Sequence, residues 1–151
     1  MTTFAFFTPR RTLLATLLAG FAVSAAAAPG DVVISQLYAH SNNSGGRWSH
    51  DFVELFNRSG APVSLNGMSL QYQSATGSTW STVAPLPDVT LQPGQYFLFV
   101  GKTGTNSDAA SVGEADATNN ALDMAGAGGK VALARSRSAL PADGGASVVD
   151  L

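Results

Sequence analysis

The stretch that decides the fold is Asp51-Phe52-Val53-Glu54-Leu55-Phe56-Asn57, which runs into the turn signal Arg58-Ser59-Gly60. Aromatic and β-branched residues dominate it, and Val53 and Leu55 fall on one side of a pleated strand. The stretch therefore predicts a β-strand rather than a helix.

Segments of the same kind occur on both sides of this strand, separated by turn residues at spacings near 8–12 residues. No helical pattern of ordinary length is present. About eight short strands of this kind predict an all-β fold, an immunoglobulin-like β-sandwich. Besides the central strand, the predicted strands are 31–38, 63–65, 68–73, 79–83, 95–100, 130–134 and 148–151.

Turn chemistry and alternation refine this picture. Asn66-Gly67 and Gln92-Pro93-Gly94 predict tight turns, the second with type II geometry. Residues 68–73 alternate apolar and polar, which predicts a strand exposed on one face. Residues 95–100 are apolar on both faces and are expected to form the most buried strand. Segment 121–125 is compatible with a helical turn or with a short strand.

Three segments lack periodicity and are rich in polar or small residues. We expect 39–49 to be an exposed, mobile loop, 101–120 a long surface loop, and 135–145 a loose connection.

The N-terminus predicts export. Arg10 and Arg11 precede an apolar run over residues 13–23, and small residues follow at 24–28. The pattern is typical of a cleaved secretory signal peptide, residues 1–28, with a mature domain over 29–151. The apolar run is shorter than the roughly 20 residues of a membrane-spanning helix, so no stable membrane anchor is expected. The sequence leaves Sec and twin-arginine export open, and predicts a secreted, periplasmic or cell-surface protein.

Removal of the signal leaves six cationic and ten acidic residues, a net charge of about −4. This balance provides no basic surface for phosphate backbones, and direct nucleic-acid binding is not expected. Because the chain has no cysteine, neither a disulfide nor a thiolate metal site is available.

Five motifs in order resemble the lamin tail domain in its bacterial, secreted form. They are Val33-Ile34-Ser35-Gln36-Leu37-Tyr38, the central stretch 51–57, the segment 63–72 around Asn66-Gly67, Leu91-Gln92-Pro93-Gly94-Gln95-Tyr96-Phe97-Leu98, and Gly129-Lys130-Val131-Ala132-Leu133. Met68 stands where the family usually has Trp. The motif residues carried by the resemblance are Asp51, Phe52, Glu54, Leu55, Asn57, Gly67, Pro93 and Gly94.

The resemblance implies an immunoglobulin-like sandwich that is not an enzyme and needs no cofactor. It implies an exported module that binds or positions an unknown extracellular ligand. In bacteria such domains often stand at the N-terminus of exported nucleases. The alternative is therefore the N-terminal fragment of a secreted metal-dependent endonuclease, whose remainder would be the partner of this domain. Family members continue beyond the last strand, so we expect the domain to be truncated at 148–151.

Candidate catalytic or metal-binding residues are few, and no catalytic residue is assigned. His40 and His50 accompany Asp51 and Glu54, but His50 and Asp51 point to opposite faces of a strand and cannot easily share a metal. Oxygen ligands that calcium prefers occur later in the chain without the spacing of a known calcium loop; they are Asp108, Glu114, Asp116, Asn119 and Asp123. Solvated loop acids are the simpler interpretation.

Two further roles follow from position in the strand. We expect Glu54 to pair with Arg58 or to accept turn amides, and Asn57 to cap the turn after the strand. Four aromatic residues form either a carbohydrate or peptide platform or part of the core; they are Tyr38, Trp48, Tyr72 and Trp80. Any separate function is expected in loops 39–49 and 101–120.

Overall fold

This computed structural model describes residues 25, 26, 28 and 30–151. That part of the chain contains eleven short strands and no helix. The all-β prediction is confirmed. The predicted signal peptide lies almost entirely outside the described residues. The strands are β1 (Ala25–Ala26), β2 (Val32–Tyr38), β3 (His50–Asn57), β4 (Val63–Ser64), β5 (Ser69–Ser74), β6 (Thr82–Pro85), β7 (Thr90–Leu91), β8 (Tyr96–Thr103), β9 (Ala117–Thr118), β10 (Gly129–Ala134) and β11 (Val148–Asp150).

The strands form two four-stranded sheets and a smaller three-stranded one. The first, called the β3 sheet below, has the order β2-β3-β8-β9, and the second, the β5 sheet, has the order β11-β10-β5-β6. The small sheet has the order β1-β4-β7. Apolar residues of all three contribute to one core, which is the arrangement of an immunoglobulin-like β-sandwich.

Strand β3 alternates strictly between buried and half-buried residues along its whole length. Val53 and Leu55 point into the core and are fully buried, which stabilises the fold by roughly 1.5–3 kcal/mol for each side chain. Phe52 and Phe56 lie half-buried on the outer face. The strand is central because it pairs with β2 on one side and with β8 on the other.

Strand β5 is buried on both faces, so the expectation of one exposed face is wrong. Leu70 and Tyr72 face the core, while the polar face is covered by the segment 136–140. The Gln71 side chain donates to Ser138 O at 3.0 Å and accepts from Leu140 N at 2.9 Å. Residues 135–145 are therefore not a loose connection: Leu140 is buried there beside Trp80, in a second small cluster.

One predicted turn is present at Asn66-Gly67, and one predicted strand lies later in the chain than expected. The tight turn predicted at Asn66-Gly67 is confirmed, and it joins β4 and β5, which lie in different sheets. Of the two turn residues, Gly67 alone has a positive φ, of 76°. Met68 N donates to Leu65 O at 3.1 Å across the turn. Strand β6 begins two residues after the buried Trp80 and ends at Pro85, which is tolerated because β6 is an edge strand.

Strand β8 is longer and less buried than expected. Phe97 and Phe99 face the core, but Tyr96 is 55% exposed on the outer face, because none of the described residues forms a further layer over the β3 sheet at that position. The strand continues to Thr103, and β9 pairs with it in parallel inside the segment predicted as a loop. Segment 121–125 forms neither a helix nor a strand, although Leu122 and Met124 are buried in the core.

Candidate functional site

The inner face of β3 carries a polar residue at each end of its apolar pair. Asp51 is fully buried at one end. Its Oδ1 accepts a hydrogen bond from Ser41 N at 3.2 Å, and its Oδ2 accepts one from Met124 N at 2.8 Å. This carboxylate therefore joins the loop after β2 to the segment before β10, and both of its oxygens are used structurally.

Asn57, at the other end, is also fully buried. Its Nδ2 donates to Ala61 O and to Leu91 O, each at 2.9 Å, while its Oδ1 accepts from Ser59 N at 3.0 Å. The side chain organises the turn that follows β3, as expected, and it ties this turn to β7.

The two loops in which function was expected pack against each other. Ser49 N donates to Ala110 O and Ala110 N donates to Arg47 O, both at 2.9 Å, and Asn106 Nδ2 donates to Gly46 O at 2.8 Å. Ser41 and Gly46 are buried within the first loop. Most of segment 39–49 is exposed, as its composition predicts, and the hydrogen bonds to the second loop anchor its backbone at Gly46, Arg47 and Ser49.

The structure does not gather the acidic residues proposed as calcium ligands. Asp123 pairs with Lys102 at 2.5 Å and accepts from Asn42 Nδ2 at 2.9 Å. Asp116 accepts from Leu98 N at 2.7 Å, and Asp108 and Glu114 are exposed. Among the described residues, no group of three or more His, Cys, Asp or Glu side chains could hold a metal ion.

The residues in and before the central stretch that could have carried acid–base chemistry have local partners. Glu54 Oε1 accepts a hydrogen bond from Ser35 Oγ at 2.6 Å. Ser35 lies on β2, the strand next to Glu54. The expected pairing of Glu54 with Arg58 is therefore wrong. His50 Nδ1 lies 2.8 Å from Ser49 Oγ, and His40 Nδ1 lies 3.0 Å from Asn43 Nδ2.

The outer face of the β3 sheet carries a row of half-exposed aromatic side chains. Tyr38 stacks on Phe52 with ring centroids 5.8 Å apart, and Trp48 meets the same ring edge-on at 6.5 Å. At the other end of the row Phe56 and Tyr96 are 4.5 Å apart. Of the four aromatics considered for a platform, Tyr38 and Trp48 share this face.

Tyr72 and Trp80 belong to the interior, where they are 6% and 3% exposed. The core interpretation is thus right for Tyr72 and Trp80, whereas Tyr38 and Trp48 lie half-exposed on the outer face, where the platform interpretation stays a prediction. Phe52, which links Tyr38 to Trp48, was not among the residues considered, although its outward position in the alternation of β3 was a usable signal.

A shallow groove of about 180 Å³ lies at the Trp48 end of this aromatic face. Its walls are aromatic and aliphatic, and two polar side chains provide hydrogen-bonding groups. The residues that line it are Gln36, Trp48, Phe52, Glu54, Leu98 and Val112. Arg47 lies over the Trp48 ring at 5.9 Å and adds a cation beside the groove.

The fold defines this chain as an immunoglobulin-like β-sandwich domain whose buried polar residues join loops at both ends of the central strand. The family model described as Lamin Tail Domain matches residues 25–148, and the chain belongs to this family. A domain of this family is an immunoglobulin-like module and is not itself catalytic. No curated protein sequence matches the chain. Within the described residues, no helix has the length and apolar character needed to cross a membrane.

Proposed function

We propose that this protein is an exported, non-catalytic module that binds or positions a ligand at the cell surface or outside the cell. The observation that carries the binding role is the aromatic face of the β3 sheet. Aromatic rings left half-exposed on a sheet forgo part of the free energy of burial, and they are a common feature of surfaces that bind ligands. The groove at Trp48 adds polar groups that could orient such a ligand.

The chemistry of the groove supports a ligand with flat apolar faces and hydroxyl or amide groups. Trp48 and Phe52 supply ring surfaces at 80° to each other, while Glu54 and Gln36 supply acceptors and donors. Sugar rings of a cell-envelope polysaccharide have this combination. Export is supported by the signal-like pattern of residues 1–28.

The export proposal is tested by expressing the full chain with a C-terminal tag in a bacterial host and measuring its mass after fractionation. We expect a product shortened at 26–28 outside the cytoplasm. Full-length protein confined to the cytoplasm would contradict export.

The binding proposal is tested by co-sedimenting the exported chain with isolated bacterial cell walls. We expect retention that falls at least fivefold in Trp48→Ala and in Phe52→Ala. Tyr96→Ala is the matched control, because Tyr96 lies on the same face but does not line the groove. Equal retention of the three variants and the wild type would reject the groove as the binding surface.

The alternative, suggested by the resemblance, is that the domain belongs to a secreted metal-dependent endonuclease. Reading the gene beyond the Leu151 codon distinguishes the two: a continuing frame with metal-dependent phosphodiesterase motifs supports the nuclease. In either case we expect the purified 151-residue chain to leave DNA uncut with magnesium or calcium, and cleavage would overturn the non-catalytic proposal.

A further inference from the structure

The groove at Trp48 has one charged side chain among the described residues that line it, and that side chain is the carboxylate of Glu54. A second carboxylate lies beside the groove. Asp116 Oδ2 accepts a hydrogen bond at 2.7 Å from the backbone N of Leu98, and Leu98 also lines the groove. A group that enters the groove therefore meets negative charge on its Leu98 side.

The position of Glu54 follows from the pairing of three strands. Glu54 lies two residues after Phe52 on β3, so both side chains are on the outer face. Gln36 on β2 and Leu98 on β8 are its cross-strand partners. Ser35 Oγ donates to Glu54 Oε1 at 2.6 Å and orients the carboxylate. A carboxylate has about four acceptor positions, so this bond leaves it able to accept a hydrogen bond from a ligand.

The aromatic walls of the groove also attract positive charge. The face of an aromatic ring carries a negative electrostatic potential, and a cation within about 6 Å of the ring centre is stabilised. Trp48 and Phe52 present two such rings at 80° to each other, with centroids 6.5 Å apart. The chain itself uses this attraction, because the Arg47 guanidinium lies 5.9 Å from the Trp48 centroid. Aromatic faces and a carboxylate together form the kind of site that binds an ammonium group.

Hydrogen bonds to the backbone hold these walls in place. Tyr38 Oη accepts from Arg47 N at 2.6 Å and from Trp48 N at 3.3 Å. The Tyr38 ring also stacks on Phe52 at 5.8 Å, and Trp48 forms a backbone bridge to Ala110 of the second loop. Because the walls are fixed in this way, little conformational entropy is lost when a ligand binds to them.

Arg47 is the cation with which a cationic ligand competes. Its side chain is exposed and does not line the groove, whereas Glu54 does. An exposed arginine leaves the Trp48 ring readily, because an exposed cation–π contact is weak. An anionic ligand, by contrast, would have to place its charge beside Glu54 inside the groove. The arrangement of charges therefore favours a cationic ligand.

The size and shape of the groove favour a sugar ring as the carrier of this positive charge. The volume of the groove is about 180 Å³. Pockets for drug-sized ligands have roughly 300–1,000 Å³, so this groove admits one ring-sized group of a longer molecule. A pyranose ring stacks its C–H face on an aromatic ring, and an equatorial amino group then points outward in the plane of the sugar. The stem of a lysine side chain would reach the carboxylate without using the flat aromatic surfaces.

We propose that the groove recognises an amino sugar, and that the ligand of this module is a polysaccharide whose residues carry unacetylated, protonated amino groups. One sugar ring stacks on the aromatic wall formed by Trp48 and Phe52, and its ammonium group donates a hydrogen bond to Glu54. This inference rests on the proposed function and deepens it, because it names the class of polysaccharide that the same groove binds.

Two oligosaccharides of equal length test the requirement for charge. The probe is the β-1,4-linked trimer of glucosamine, and the reference is the trimer of N-acetylglucosamine, in which acetylation removes the charge and keeps the ring. Calorimetric titration of the purified chain at pH 6.0 and low salt gives both Kd values. We expect the glucosamine trimer to bind at least fivefold more tightly, and we expect this preference to fall as salt screens the charge pair.

Three variants separate the groove from the general acidity of the surface. Glu54→Gln keeps an acceptor oxygen for Ser35 and removes the charge, so it should weaken the glucosamine trimer at least fivefold and leave the N-acetylated trimer within twofold. Asp88→Asn is the matched control, because it removes the same charge at an exposed residue outside the groove, and both Kd values should stay within twofold. Trp48→Ala should weaken both trimers, since both stack on the ring. Circular dichroism confirms folding of each variant.

Arg47→Gln determines the sign of the charge that the groove accepts. Removing the competing cation should tighten binding of the glucosamine trimer by about twofold or more and leave the N-acetylated trimer unchanged. Weaker binding of the glucosamine trimer in this variant would overturn the inference. A tri-lysine peptide that binds as tightly as the glucosamine trimer, and that Glu54→Gln weakens, would assign the groove to basic peptides and would also overturn it.

The remaining outcomes distinguish this inference from the proposed function. Equal affinity for the two trimers, with both lost in Trp48→Ala, would overturn the amino-sugar inference and keep the groove as a polysaccharide site. Failure of both trimers to bind at 5 mM would overturn the inference, and the cell-wall retention of Trp48→Ala would then decide the proposed function by itself. A preference for the glucosamine trimer that persists in Glu54→Gln would place its recognition outside the groove and would overturn the inference.

Discussion

Replacing Asp51 by Asn keeps the shape of a fully buried side chain and changes only its hydrogen-bonding chemistry. Both carboxylate oxygens accept backbone N–H groups, from Ser41 at 3.2 Å and from Met124 at 2.8 Å. An amide has one acceptor oxygen and one donor nitrogen. Whichever way the Asn side chain turns, an N–H₂ group faces a backbone N–H, so one buried amide loses its partner.

The expected cost follows from these two contacts. Losing a hydrogen bond to a charged acceptor and leaving a buried donor unpaired together destabilise by about 2–4 kcal/mol. For a domain of this size, with 151 residues in the chain, this lowers Tm by about 4–16 °C. Urea titration followed by tryptophan fluorescence gives the free energy of unfolding, and calorimetry gives Tm.

The matched control is Asp88→Asn, because Asp88 is exposed and makes no side-chain hydrogen bond among the described residues. We expect it to change stability by no more than about 0.5 kcal/mol. A difference of less than about 0.5 kcal/mol between the Asp51 and Asp88 variants, at equal urea m-values, would refute the reasoning. The inverse change, Asn57→Asp, should also destabilise, because its new oxygen would face two carbonyl oxygens where Nδ2 now donates.

The remaining predictions concern turns, the covered face of β5 and one surface ion pair. Gly67→Ala should destabilise by about 1 kcal/mol in urea titration because of its φ of 76°, whereas Gly60→Ala, with open space and no positive φ, should be neutral or slightly stabilising. Gln71→Ala should cost about 2–4 kcal/mol and make the segment 136–140 sensitive to proteolysis, since its amide holds that segment on the sheet; resistance equal to the wild type would contradict this. Lys102→Ala should cost less than about 1 kcal/mol, because both partners of the ion pair with Asp123 are 44% exposed, and a larger loss would show that the pair is coupled to other contacts.

The sequence predicts the fold well where each strand has one apolar face and local turn residues. The stretch 51–57 shows this, because its alternation alone separates Val53 and Leu55 from Phe52 and Phe56. The prediction fails for β5, whose polar face looks solvent-exposed in the sequence. Its Gln71 is satisfied by Ser138, 67 residues away, and no local pattern indicates that contact.

The same limit applies to the candidate site. The motif contains Asp51, but its partner Met124 is 73 residues away, so its role as a joint between loops depends on the tertiary fold. The aromatic face depends on strand register, because Tyr38 meets Phe52 only through the pairing of β2 with β3. Composition identified the aromatic residues, and register determined which of them share a surface.

The polar ends of β3 have a consequence for how the chain finds its correct alignment. A strand that shifts by two residues keeps its apolar side chains on the core face, so hydrophobic pattern alone does not penalise this error. In β3 such a shift would move either Asp51 or Asn57 into a site now filled by Val53 or Leu55, away from every backbone group that it bonds. Only one alignment of β3 therefore keeps the hydrogen bonds of both Asp51 and Asn57.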